Sequence, residues 1–421
     1  MKQGNAKFRY DTQWIQKYST QMGYNIYKGI LESNREITYQ EIANQLLTFY
    51  SNTPTKFYNL NQPLIDSRGR VIYQCTKKLF NPISHKDARA CVITKSRPLT
   101  DDGLVAVQLF VAELLGLKAT TLEEKIELGK EAIRNCTLPS EDNLHEYIWL
   151  SRIYENLTDP EHWNVPIEVD ATASILQMIG TLTNNHMYLY GTNLAENNNK
   201  LEDIWNLPNV SSRTLTKRAL TRILYGSSQT ASEIWDVLHL DYTIDDVFNV
   251  NTELLEGKFK EARDFSKFII ENNKPTTTMD VEIFRDKFTI YCNKFDWEKT
   301  ETVTYFVWSG TKLRKITRNV QRVPDFNRFK LYFVTLLCHN LDSQVADTIA
   351  NTLDWVLPNH DSFTLHPNDA SRCRELYAKL MHEIYLARHD ILDRFFRSIG
   401  IVKKYRDVDK DNLNFSPNAL K

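Results

Sequence analysis

A chain of 421 residues, 42% of them hydrophobic, can bury a large core and forms one large domain or two to four structural lobes. Its 52 basic and 53 acidic side chains leave a formal net charge of −1, which excludes a globally basic nucleic-acid binder and requires any such surface to arise by local segregation of charge. No stretch approaches the roughly 18 apolar residues of a membrane-spanning helix, no signal-type segment opens the chain, and the six cysteines form neither a C-x-x-C pair nor a zinc spacing, so a reducing cytoplasm is expected.

In chain order, helical spacing of apolar residues first appears over Ile37–Phe49, followed by a break at Ser51–Pro54. Asp66-Ser67-Arg68-Gly69-Arg70 then leads into a strand at Val71, with two cations around a glycine that lets the backbone approach a ligand closely. Helices are predicted over Leu104–Leu117, Leu122–Ile133 and Leu144–Ile153. Val165-Pro166-Ile167-Glu168-Val169 reads as a short strand that ends on Asp170 and runs into a helix through Ser174 and Gln177. After an exposed turn near Asn197, Arg213 to Tyr225 predicts a helix capped by Ser211-Ser212 and stopped by Gly226. Helical spacing returns over Val247–Ile270 and breaks at Glu271–Thr278. A basic stretch follows, Lys312, Arg314, Lys315, Arg318, Arg322, Arg328 and Lys330, with Tyr305, Phe306 and Trp308 just before it. Leu353–Leu357 and Ser362–Leu365 predict a hairpin with Asp361 in its turn, and a last helical run covers Ala370–Phe396. Lys403 to Lys421 is polar with few apolar anchors and predicts a mobile tail without a catalytic role. The expected fold is mostly α with a small β-sheet, its strands few and short.

Asp170 and Asp361 each follow an apolar strand, where a fixed backbone can present a carboxylate to a metal. Alone, the first is more often a helix N-cap and the second a turn residue bonded to its own backbone. Two such acids make a stronger case, because paired carboxylates can hold the two Mg²⁺ ions of an in-line phosphoryl transfer. Arg213 and Lys217 lie one helical turn apart with Tyr225 further on, all within about a third of the helix circumference. A forked guanidinium and an ammonium on one face suit a triphosphate and the charge that develops on pyrophosphate; a solvated basic face is the structural alternative. The basic stretch from Lys312, with its neighbouring aromatics, suits nucleic-acid backbone contact with stacking, or equally a solvated loop.

In this order the segments resemble the bacteriophage and mitochondrial single-subunit RNA polymerases. Asp66-x-Arg68-Gly69-Arg70 is similar to that family's early Arg-Gly-Arg strand, and Asp170-x-x-x-Ser174-x-x-Gln177 to its first catalytic motif. Arg213-x-x-x-Lys217 through Tyr225-Gly226 looks like its nucleotide-binding helix, and His360-Asp361-Ser362-Phe363 like its second catalytic motif. The likeness covers about residues 60 to 400 and extends into His339-Asn340-Leu341-Asp342 and Pro367-Asn368-Asp369-Ala370.

The resemblance implies a right-hand polymerase fold, with palm, fingers and reduced thumb, and DNA-directed addition of ribonucleoside triphosphates to the 3′-end of nascent RNA. On it, Asp170 and Asp361 hold two Mg²⁺ ions, Arg213 and Lys217 grip the triphosphate, and Lys217 is placed to protonate pyrophosphate. Tyr225, followed by Gly226, packs against the incoming nucleotide, His339 reads the ribose, Lys118 adds a triphosphate contact, and Arg68 and Arg70 touch the template–product region. The implied parts are a partner-docking remnant over 1–60, a thumb–palm connection over 61–160, palm over 161–210, fingers over 211–300, palm again over 301–400, and a polar tail over 401–421.

Three departures qualify the likeness. Val345, which can donate no hydrogen bond, stands where the family's His-x-x-Asp-x-x-His run ends. Only 65 residues precede Asp66, where family members carry a promoter-binding domain, and a polar tail replaces the apolar C-terminal foot of the phage enzymes. The short front resembles the larger, catalytic subunit of the split two-chain RNA polymerases of some podoviruses. That implies a phage protein in the host cytoplasm, a smaller second chain docked on an apolar surface at Tyr10, Trp14, Tyr18, Tyr24 and Tyr27, and a single-stranded-DNA-binding recruitment factor. A DNA polymerase of the same fold is the nearest alternative, although Ser362 stands where those enzymes carry an acid; a polymerase-like nucleic-acid-binding scaffold without chemistry is the alternative from another class.

Overall fold

The computed structural model describes residues 7–11, 13–15, 17, 18, 21, 22, 25, 58–65, 71–75, 82, 83, 85–197, 200–227, 231–238, 242–292, 298–309, 312–411 and 413–420. Over these, helices predominate and every sheet is small and antiparallel. Strands β1 (Lys7–Tyr10), β2 (Tyr58–Ile65), β3 (Val71–Cys75) and β4 (Val92–Ile93) form a four-stranded sheet in the order β3-β2-β1-β4. The sheet that matters most joins β5 (Ile167–Asp170) to the later hairpin β10 (Val356–Asn359) and β11 (Ser362–Leu365), in the order β10-β11-β5. Two further hairpins pair β6 (Thr278–Ile283) with β7 (Asp286–Tyr291), and β8 (Glu298–Ser309) with β9 (Lys312–Pro324).

The helices start where the sequence supplies caps. Thr100 accepts from the Gly103 amide to open Asp101–Leu114, and Thr121 accepts from the Glu124 amide to open Leu122–Arg134. Thr243 and Asp246 form a reciprocal capping box on Ile244–Leu255. The single helix expected over Val247–Ile270 is two, Ile244–Leu255 and Lys260–Asn272, because the chain turns at Gly257, whose amide bonds Thr252 O at 3.1 Å. Ala370–Phe396 likewise divides at Ala387 into Ala370–Leu386 and Arg388–Ser398.

Phe326–Thr352, a helix of 27 residues, runs through the core with Phe329, Phe333, Leu336, Leu337, Leu341 and Ile349 all buried. Apolar residues around most of its circumference are the signature of a central helix. Val345 is one of these core positions, which accounts physically for an aliphatic side chain there. Helices Lys260–Asn272, Ser174–Thr183 and Ala370–Leu386 pack on it. No described helix is long and apolar enough to cross a membrane.

Three expectations are corrected. Strands are not uniformly short: β8 and β9 have 12 and 13 residues, and the basic stretch from Lys312 to Arg322 lies in a paired strand, not a loop. The C-terminal residues are not a loose tail. Val408 and Asp409 donate backbone bonds to Thr183 and Asn184, the Asn184 side chain donates to Asp409 O at 2.7 Å and Asp411 O at 3.1 Å, and Ala419 and Leu420 are buried. Finally, Tyr10 and Trp14 belong to the core rather than to an open docking surface; Tyr18 stacks on Trp14 at 5.9 Å between centroids. Tyr24, Tyr27 and the helix expected over Ile37–Phe49 lie outside the described residues.

His366 links this core to solution pH. Burial pushes its imidazole down to about 4, with the Arg97 guanidinium adding to the effect and Asp369 opposing it. Its Nδ1 accepts from the Asn368 amide at 3.2 Å, which keeps the folded ring neutral. As pH falls below the ordinary histidine value of about 6.5, the unfolded chain takes up a proton that the folded chain refuses, so stability present above that pH is lost toward pH 4. The expected loss is up to about 3 kcal/mol. Urea denaturation between pH 7 and 4.5 should show a steeper decline for wild type than for His366→Asn.

Candidate active site

Strand β5 lies antiparallel to β11 with Ser362 opposite Asp170, Phe363 opposite Val169, Thr364 opposite Glu168 and Leu365 opposite Ile167. Alternation puts Ile167, Val169, Phe363 and Leu365 on one sheet face, all buried, and Glu168, Asp170, Ser362 and Thr364 on the other. Asp361 occupies the two-residue turn between β10 and β11, after His360 at φ +63°, a left-handed position in which histidine is enriched. The Asp361 carbonyl accepts from the Ala171 amide at 3.1 Å. Two acids far apart in sequence therefore sit at adjoining strand ends.

Asp170 opens onto a cavity of about 260 Å³ whose lining includes Lys86, Glu113, His145, Glu168, Arg213 and Lys217. The side chain stays accessible from the cavity, yet the protein crowded around it raises its pKa well above the usual carboxylate value; the Asp361 and Glu168 charges add to that rise and Lys217 opposes it. The site thus concentrates negative charge on the sheet and answers it with cations on the facing helix.

That helix is Arg213–Leu224. The Ser212 hydroxyl accepts from the Thr214 amide, and Ser211 is held by Asp246, its amide donating at 2.7 Å and its hydroxyl at 3.0 Å. Lys217 is exposed to the cavity, and Arg213 donates through Nε to Asp203. Tyr225 ends the helix with its ring edge-on to His339, 4.9 Å between centroids and 69° between planes. Gly226 follows at φ +92°, where an added Cβ would lie 2.9 Å from Ile270 Cδ1. Gly226→Ala is expected to cost about 1–3 kcal/mol in chemical denaturation, from strain and overpacking together.

The comparisons with known proteins identify nothing: no family model matches the chain, and no curated protein matches it.

The other predicted residues separate from this centre or fall outside it. Lys118 is exposed after the turn at Gly116 and does not line the cavity. Arg68 and Arg70 lie outside the described residues, immediately before β3. Lys312, Arg314, Lys315 and Arg318 are in backbone register with Ser309, Val307, Phe306 and Val303 in the β8–β9 pairing, and Arg322 is exposed near the base of that hairpin.

Sequence reasoning missed several neighbours. Glu168 lies on the Asp170 side of β5, a placement that period-two spacing could have revealed. Arg89 pairs with Glu168 at 2.7 Å, a contact between distant segments for which the sequence carries no signal, and Asp203 pairs with Arg213 across the short loop that precedes the helix. Arg218 and Arg222 line a groove beside Arg213 and Lys217 and extend its cationic surface. Behind Asp170, Gln177 donates to Thr192 O and Ala419 O and accepts from the Tyr377 hydroxyl at 2.7 Å. Burial holds that phenol well above its usual range, and Asp342, Asp361 and Asp170 add to the effect.

Among the described residues, no group of three or more His, Cys, Asp or Glu side chains is placed to hold a metal ion as a protein cage. Mg²⁺ does not need one. It keeps several waters, takes phosphate oxygens from substrate and requires only one or two carboxylates. Asp170, which lines a cavity with phosphate-suited cations, and Asp361, whose charge it feels at the adjoining strand end, fit that donor set.

Proposed function

We propose that the chain is a DNA-directed RNA polymerase of right-hand architecture, adding ribonucleoside triphosphates to the 3′-end of RNA. The observation that carries this reading is the meeting of Asp170 and Asp361 at adjoining strand ends, across a cavity from Lys217. In it, β5, β10, β11 and the helix Ser174–Thr183 are the palm, and the helix Arg213–Leu224 opens the fingers.

Two bound Mg²⁺ ions would align the attacking and leaving oxygens and neutralise charge in an in-line displacement. Asp170 and Asp361 would hold the cations. Arg213, its Nε already engaged by Asp203, offers its terminal N–H groups to the triphosphate, and the Lys217 ammonium donates a proton to the leaving pyrophosphate. Tyr225 and His339, in ring contact, form the surface that meets base and ribose. The basic strand β9, Arg68 and Arg70 contact nucleic-acid backbone. A smaller second chain and a single-stranded-DNA-binding factor supply promoter recognition, and the setting is the cytoplasm of a phage-infected bacterium.

Primer extension on single-stranded DNA with an RNA primer and Mg²⁺ tests this. Extension with ribonucleotides and not deoxynucleotides is expected. Preference for deoxynucleotides would make the chain a DNA polymerase, and no extension by folded protein with either set would remove the enzymatic reading.

A further inference from the structure

We propose that Glu168, anchored by Arg89, is a positioning residue that fixes the spacing of Asp170 and Asp361 through Ser362. The inference rests on the polymerase reading and deepens it. Glu168 Oε1 accepts two hydrogen bonds, one from Arg89 Nη1 at 2.7 Å and one from the Ser362 hydroxyl. Ser362 directly follows Asp361 in the chain and is the strand partner of Asp170, so the Glu168–Ser362 bond crosses β5 and β11 diagonally beside both acids. Arg89 is a firm anchor: it is buried, and its Nε donates to Pro82 O at 2.9 Å.

The arrangement answers a physical problem. Two carboxylates at adjoining strand ends repel, and strand ends fray. The Ala171 amide on the Asp361 carbonyl ties the backbones together at the turn. The Glu168–Ser362 bond adds a side-chain tie on the face that opens to the cavity. A third carboxylate beside the pair would worsen the repulsion if left alone, and the Arg89 guanidinium balances it, so the tie is made without added net charge. Ser362 is 5% exposed, a burial that shields this bond from competing water.

The test uses the full chain and Mn²⁺ as a paramagnetic stand-in for Mg²⁺. Mn²⁺ affinity is read from the free-ion electron paramagnetic resonance signal, alongside thermal unfolding and primer extension, for wild type, Ser362→Ala, Ser362→Thr, Glu168→Gln and Asp361→Asn. Loss of the tie is expected to weaken Mn²⁺ binding about tenfold in Ser362→Ala, and less in Glu168→Gln, whose amide oxygen still accepts from the Ser362 hydroxyl. In Ser362→Ala kcat should fall similarly while the ribonucleotide KM holds, and Ser362→Thr, which keeps the hydroxyl, should stay near wild type. Unchanged Mn²⁺ affinity and kcat in folded Ser362→Ala, with wild type binding Mn²⁺ and Asp361→Asn failing to, would overturn the positioning role and leave the polymerase reading intact. Wild type that neither binds Mn²⁺ nor extends primers would remove both.

Discussion

Asp361→Asn is expected to lower primer extension by at least about 10³-fold while raising the melting temperature of the metal-free protein. The opposite signs come from one cause. Asp361 is among the charges that raise the pKa of Asp170, after the crowding of protein around that carboxylate. A carboxyl whose folded pKa exceeds its unfolded value binds more protons folded than unfolded, so it costs stability as pH rises through the interval between the two. An amide at 361 removes one source of that cost, and it also removes the charge needed to hold a cation. The gain in melting temperature should be about 2–4 °C at neutral pH and should vanish near pH 3, where the Asp170 carboxyl is protonated in either state. Mg²⁺ should raise the melting temperature of wild type and not of the variant. Scanning calorimetry at pH 7 and pH 3 checks this; a variant no more stable than wild type at pH 7 would mean that the two acids do not oppose folding.

Deleting Phe415 to Lys421 is expected to abolish extension and to cost about 5 kcal/mol or more in urea denaturation. Leu420 bridges to Ala171, and the Ala419 carbonyl accepts from Thr172 and Gln177, so these residues brace the backbone leaving Asp170. The Leu420 carbonyl accepts from Arg374 Nε at 3.0 Å, and Phe415 packs against His382 and Tyr385 with centroids 5.4 Å away. Leu420→Ala, at a position 2% exposed, should cost about 2–3 kcal/mol and reduce extension in step. A truncated protein with wild-type stability and rate would show that the brace is idle.

The parts of the site legible in sequence are those written by local chemistry. Asp170 and Asp361 stand where short apolar strands end, and Ser212 and Gly226 bound the cationic helix with ordinary capping. The parts that were not legible depend on partners far away in the chain. The polarity of residues 403–421 suggested a loose tail, because composition reports side-chain burial and is silent about backbone bonds such as Val408 to Thr183. The aromatic run at Tyr10 and Trp14 looked like a docking surface, because nothing local records that β4 pairs with β1, or that the helix Leu144–Asn156 meets Asp11 through Arg152 and Tyr18 through Tyr147. Arg89 was invisible for the same reason.

The pairing of β5 with β11 also has a temporal meaning. The first strand of the β10-β11-β5 sheet leaves the ribosome long before the hairpin that completes it, and pairing at such sequence separation must wait for the intervening helices to fold. Until then the growing chain carries solitary carboxylates that can neither repel each other nor gather a divalent ion. On that timetable the candidate site is among the last elements to form, and amide exchange at Asp170 and Ser362 should report opening of the whole fold rather than of a local loop.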